Sequence, residues 1–137
     1  MKLKIIEKIK SEKSSSSILV SFFSPSGYEQ RKNYELADYV CYLPLDTKRN
    51  AKKFISSLNI AKVFFVKYEV WPNYFKELNR QKIDFYIISA TFRKSQIYFK
   101  PTGIWFKNLL KLPTQIFVQE EASKILLSEN NIESIVS

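Results

Sequence analysis

This sequence predicts an α/β fold: a Rossmann-like parallel sheet with helices on both faces. Three observations lead there. Short apolar runs begin at residues 18, 39, 62, 85 and 115, and segments with helical spacing lie between them. Strands alternating with helices at this interval read as consecutive βα units. The runs are apolar with little alternation, as expected of strands covered on both faces. The chain has 137 residues, enough for one domain with a real core and too few for two ordinary ones.

The elements follow in order. "MKLKIIEKIK" (1–10) sets Leu3, Ile6 and Ile9 near helical spacing, so a helix opens the chain. A doubly wound domain normally opens with a strand, and that first strand is expected to be missing. "ILVSFF" (18–23) is the first apolar run, broken by "SPSG", and "YEQRKNYEL" (28–36) is polar and helical in character. "YVCYL" (39–43) is the second run. In "TKRNAKKFISSL" (47–58), Ala51, Phe54, Ile55 and Leu58 share a helical face behind Asp46 or Thr47 as cap. "KVFFVKY" (62–68) leads into "PNYFKELNRQ" (72–81), where proline occupies the first turn that tolerates it. "FYIISA" (85–90) precedes a longer helical stretch near 93–110, interrupted around Pro101 and Gly103. "QIFVQ" (115–119) and "EEASKILLSEN" (120–130), with acids at the helix start, complete the pattern.

Composition narrows the chemistry. Lys and Arg number 22 against 13 Asp and Glu, a net charge of +9. Such a balance suits an anionic partner, nucleic acid or a membrane surface, although lysines scattered among Ile, Asn, Phe and Tyr also arise from base composition alone. No RNA- or DNA-binding motif is present, so nucleic acid is not expected as a partner. There is no histidine, the commonest general base and metal ligand. The single cysteine, Cys41, lies in "YVCYL" and reads as a structural thiol in a reducing compartment. No apolar stretch approaches the roughly 20 residues that span a bilayer. The lysine-rich start lacks the apolar core of a signal peptide.

In open parallel sheets ligands bind beyond the carboxyl ends of the strands. Three loops meet that rule. Ser24, Ser26 and Gly27 offer hydroxyls and a permissive backbone beside a helix N-terminus, which favours an anion; a plain serine-capped turn satisfies the same spacing. "KYEVWPN" (67–73) brings Lys67, Glu69, Trp71 and Asn73 to the end of a strand, and an acid there is a candidate for catalysis or a solvated loop residue. In "SATFRKSQ" (89–96), Arg93 can pair with phosphate or carboxylate, or stand as an exposed first-turn cation.

Four segments, "FFSPSGYE", "ADYVCYLPLDT", "FVKYEVWPNY" and "ISATFR..Q.YFK", resemble in order and spacing the N-terminal half of the 3-deoxy-D-manno-octulosonic acid (Kdo) transferases of lipid A biosynthesis. The resemblance covers nearly the whole chain. It implies the N-terminal half of a B-type glycosyltransferase fold, an incomplete acceptor-binding Rossmann-like domain over 1–137, without the C-terminal donor domain. It implies an inverting displacement in which a hydroxyl of the lipid A precursor lipid IVA attacks the anomeric carbon of Kdo and CMP leaves. Glu69, in E-x-W-P-N, is implied as a charge stabiliser. Ser24, Ser26, Gly27, Lys67, Asn73 and Arg93 are implied on the acceptor side, and no metal or cofactor is implied. The family's base is a glutamate in an S-x-G-E motif after the first strand. That motif does not occur in this sequence, and Glu7 and Glu12 do not match it. The chain alone is therefore expected to be inactive and a poor folder, with CMP-Kdo met only through the absent domain. The implied location is the cytoplasmic face of the bacterial inner membrane, peripherally on its anionic surface. A noncatalytic acceptor- or membrane-binding module of the same half fold is the alternative.

Overall fold

The computed structural model describes residues 2–12, 17–23, 28, 33, 35, 37–67 and 70–137, the side chains of 2–5 and 12 excepted. Its elements keep the expected alternation: α1 (Lys2–Glu12), β1 (Leu19–Phe22), β2 (Tyr39–Tyr42), α2 (Lys48–Ser56), β3 (Lys62–Val66), α3 (Pro72–Arg80), β4 (Asp84–Ala90), α4 (Ile104–Leu109), β5 (Gln115–Val118), α5 (Glu121–Glu129) and β6 (Ile135–Val136). Among the described residues every strand pair is parallel. The result is an α/β architecture of parallel sheets flanked by helices, consistent with a Rossmann-like glycosyltransferase half fold. β1 pairs with β2, and β3 begins a separate sheet of order β3-β4-β5-β6. The chain forms two compact units, Met1–Leu45 and Asp46–Ser137. The expected helix at 28–36 lies mostly outside the described residues.

In the first unit β1 and β2 run in register from Leu19 opposite Tyr39 to Phe22 opposite Tyr42. Asp38 anchors the start of this pair. Its carboxylate accepts from the Ile18 amide at 2.6 Å and from Lys10 Nζ of α1 at 3.0 Å. The amide bond first, and then the lysine, hold the Asp38 carboxyl below its usual range. Cys41 is half-buried in β2, and burial pushes its thiol up, away from the reactive thiolate.

The second unit has its core on one face of the four-stranded sheet. Phe65 of β3, Phe85 of β4 and Phe75 of α3 meet with ring centroids 4.9 to 6.0 Å apart. Ile87, Ile116, Val118 and Leu127 are fully buried around them. Each such side chain contributes about 1.5–3 kcal/mol on burial. The opposite face is less covered: exposed Phe64 stacks on half-buried Tyr86, with Phe117 beyond. Burial along β5 therefore alternates more strongly than its apolar sequence suggests.

Helix boundaries have local causes. Thr47 caps α2 by accepting from the Asn50 amide at 3.1 Å, and Ala51 and Ile55 face inward. Pro72 opens α3. Lys82 (φ 57°) and Asn131 (φ 60°) take the left-handed conformation that ends α3 and α5. The next amides, Ile83 and Ile132, bond back to Leu78 and Leu127 at 3.0 and 2.9 Å. Glu77, buried on α3, accepts from Arg80 and from Gln81 Nε2 at 3.0 Å, and the arginine bonds bring its carboxyl down to about 2.

The stretch near 93–110 corrects the expectation of one interrupted helix. It consists of two single 3₁₀ turns, Ile97–Phe99 and Pro101–Gly103, followed by the six-residue α4. Pro101 forces Lys100 into an extended conformation (φ −96°, ψ 150°), which stops the first turn. Gly103 then seats α4 against that turn: a Cβ there would strike the Ile97 carbonyl, so no larger residue fits.

Candidate functional site

The carboxyl ends of β3, β4 and β5 gather the described candidates of the second unit. Of the sequence-predicted residues, Lys67, Asn73 and Arg93 are placed here. Ser24, Ser26, Gly27 and Glu69 lie outside the described residues.

Lys67 directly follows β3. Its amide donates to the Ile88 carbonyl at 2.8 Å, which extends the ladder one step beyond the strand. Its backbone then turns left-handed (φ 61°), and the side chain is exposed. Ser89 in β4 is also left-handed (φ 56°), at a shift of register between Ile87 and Ala90. Among the described residues, two of the four left-handed non-glycine residues end helices. The other two, Lys67 and Ser89, stand at strand ends, and strain of this kind collects where a site must be shaped.

The loop after β4 is pinned from the neighbouring β5–α5 segment. Gln119 donates from Nε2 to the Ser89 carbonyl and from its amide to the Ala90 carbonyl, both at 2.9 Å. The Phe92 amide donates to the buried Ser123 hydroxyl at 2.9 Å. The Arg93 amide donates to Gln96 Oε1 at 2.9 Å, and the Gln96 amide returns a bond to the Arg93 carbonyl at 3.0 Å. The backbone at Arg93 is thus fixed while its side chain stays exposed. A fixed base under an exposed, permanently charged fork suits recognition of phosphate or carboxylate.

Asn73 is held in the first turn of α3. Its side chain donates to the Asp46 carbonyl at 2.8 Å. The amides of Asn73 and Tyr74 donate to Asp46 Oδ1 at 3.1 and 3.2 Å. Asp46, which precedes α2, therefore caps α3 from 27 residues away, where Trp71 supplies no side-chain cap. Burial pushes the Asp46 carboxyl up, and the bonds from Tyr74 and Asn73 partly oppose that. The sequence left Asp46 or Thr47 as the cap of α2. Thr47 has that role, and Asp46 instead fixes the exit of the 67–73 loop.

Sequence reasoning named Asp46 only as a possible cap of α2, and missed the supporting residues Ser89, Gln119 and Ser123. Their partners are distant in the chain, so no local pattern marks them. The chemistry available at this edge is cationic, with Lys67 and Arg93 presented on shaped backbone at the ends of adjacent parallel strands.

A Rossmann-like α/β domain whose candidate site lies at the carboxyl edge of a parallel sheet is the class defined so far. Residues 2–136 match the 3-deoxy-D-manno-octulosonic-acid transferase (Kdo transferase) family in its N-terminal domain, and the chain belongs to that family. It is also similar to a bifunctional glycosyltransferase/methyltransferase of Fusobacterium nucleatum subsp. nucleatum, with 25% identity over 111 residues. That match covers 78% of this chain and 17% of the relative's length.

Proposed function

We propose that this chain is the acceptor-side domain of a glycosyltransferase that moves Kdo from CMP-Kdo to the lipid A precursor lipid IVA, a diphosphorylated glucosamine lipid. The observation that supports this most is the family match over 2–136, on a fold in which Lys67 follows β3 and Arg93 follows the adjacent parallel strand β4. In this reading the two cations meet acceptor phosphates. Ser24, Ser26, Gly27 and Asn73 line the acceptor side. Glu69 stabilises charge at the reacting centre.

The reaction is a displacement. An acceptor hydroxyl oxygen bonds to the anomeric carbon of Kdo, the bond from that carbon to the CMP phosphate oxygen breaks, and a carboxylate base takes the hydroxyl proton. The base is assigned to polypeptide outside these residues, because neither glycine of the chain is followed by glutamate, and the CMP-Kdo site to the C-terminal domain that the family resemblance implies. The same observation favours a second reading, a noncatalytic acceptor-binding module.

A transfer assay separates the two. The chain is combined with the donor half and the S-x-G-E segment of a family enzyme, and Kdo transfer to lipid IVA is followed. Transfer is expected, and Glu69→Gln should lower kcat by far more than it raises the acceptor KM, since the charge acts mainly in the transition state. Acceptor binding without any transfer selects the noncatalytic module. A Glu69→Gln effect confined to KM removes the catalytic role.

A further inference from the structure

We propose that the hydroxyl of Ser89 donates a hydrogen bond to a phosphate oxygen of the bound acceptor. The proposal rests on the acceptor reading above. It adds a binding residue that neither the motif spacing nor the resemblance marks.

The backbone is the first observation. Ser89 has φ 56°, where the Cβ of an L-residue crowds the following carbonyl oxygen. Ile87 pairs with Ile116 and Ala90 with Val118, so three steps along β4 match two along β5. Ser89 therefore lies in a bulge, a device that re-aims a side chain beside a site. Glycine takes a left-handed bulge position without strain, and serine does not.

The second observation is the hydroxyl itself. Ser89 is only 8% exposed. Its carbonyl accepts from Gln119 Nε2 at 2.9 Å, yet among the described residues nothing hydrogen-bonds its Oγ. That oxygen is not fully enclosed, so a ligand atom can reach it. A largely buried hydroxyl without a partner is destabilising. Strain and an unpaired hydroxyl thus fall on one residue, and glycine would remove both. Costs of this kind persist where the side chain serves a ligand.

The third observation is the place. Ser89 stands at the carboxyl edge of the sheet, where ligands of open parallel sheets bind. On the adjacent strand the Lys67 amide donates to the Ile88 carbonyl at 2.8 Å, which sets Lys67 beside this bulge. Arg93 follows in the same loop, and both cations have exposed side chains. A hydroxyl donor on an edge with two cations suits an anionic oxygen, because an O–H to O⁻ bond is charge-assisted and stronger than a neutral one. The Gln119 amide holds the Ala90 carbonyl at 2.9 Å, and the Ser123 hydroxyl holds the Phe92 amide at 2.9 Å. The strained residue is therefore fixed from the neighbouring strand before any ligand arrives, and little ordering is left for binding to supply.

The test is calorimetric binding of a deacylated diphosphorylated glucosamine disaccharide, and of its dephosphorylated form, to the 137-residue chain and to Ser89→Ala and Ser89→Gly. Urea denaturation gives the stability of each. Ser89→Ala removes the hydroxyl and keeps the Cβ, and Ser89→Gly removes both. Each should weaken binding of the phosphorylated sugar about tenfold or more. Neither should lower the urea midpoint, and Ser89→Gly should raise it, because the strain is released. Loss of affinity with gain of stability is the result a merely structural residue does not give. Unaltered affinity in both variants, with the unchanged chain binding, overturns the proposal and leaves the acceptor reading standing. A lowered midpoint in both variants makes Ser89 structural and also overturns it. An equal loss with the dephosphorylated sugar gives the hydroxyl to a sugar group and overturns the phosphate contact. No binding by the unchanged chain removes the acceptor reading and the proposal with it.

Discussion

The two compact units of this chain use the same parallel β-strand but hold it by different means. In the second unit, β3, β4 and β5 are flanked by helices, and Phe75, Phe85, Ile87, Ile116, Val118 and Leu127 have essentially no solvent exposure. In the first, among the described residues, Ile6 alone is a buried hydrophobic side chain, and β1 and β2 are exposed or half-buried along their length. Among the described contacts there, Asp38 ties α1 to the start of the strand pair and Tyr28 stacks on Tyr42 of β2 at 4.3 Å. Parallel pairing is the weaker ladder per residue and relies on covered faces. Among the described residues, the apolar runs "ILVSFF" and "YVCYL" contribute no side chain to a buried core, whereas β3, β4 and β5 do.

The largest effect should come from breaking what sets the second unit apart. Phe75→Ala removes the ring between Phe65 and Phe85 and should cost about 3–5 kcal/mol, read as a lowered urea midpoint. A loss under about 1 kcal/mol would mean that the aromatic cluster is not the unit's main support.

A smaller effect separates the units by pH. Glu77 titrates at about 2 in the folded chain against an ordinary 4.5. A depressed carboxyl adds stability that is fully present above its unfolded value and is lost as pH falls toward 2. Glu77→Gln should therefore cost about 1–2 kcal/mol near neutral pH and progressively less toward the acid end, in denaturation curves taken from pH 7 down to 2. A cost independent of pH would assign the loss to packing and not to the carboxylate.

The smallest effect should be confined to the first unit. Asp38→Asn keeps the shape but weakens both bonds, and amide exchange at β1 and β2 should speed up several-fold while β3–β5 exchange at their old rates. Acceleration in both units alike would contradict their separate support.

Much of the fold was legible because its signals are local. The runs at 62, 85 and 115 became strands, proline opened α3, and a capping threonine opened α2. β6 was not foreseen, since two exposed residues carry no period. Neither were the short pieces within 93–110, where Pro101 and Gly103 mark an interruption without saying which side of a six-residue helix faces water. Of the site, Lys67 and Arg93 could be placed by the rule that ligands meet the carboxyl ends of parallel strands. The bond from Gln119 to the Ser89 carbonyl, the Ser123 hydroxyl under Phe92 and the Asp46 carboxylate at Asn73 join residues about 30 apart, and only the folded chain brings them together.

That sheet edge, as the place where a phosphorylated acceptor sugar is met, is the central claim. Its most direct test is a residue-resolved NMR titration with a deacylated, water-soluble diphosphorylated glucosamine disaccharide, which has no chains to enter a bilayer. The account predicts saturable shifts at Lys67, Asn73 and Arg93, none at Ile104 or Trp105, and loss of the response when the phosphates are removed. Unmoved resonances at Lys67 and Arg93, or an equal response to the dephosphorylated sugar, would contradict it.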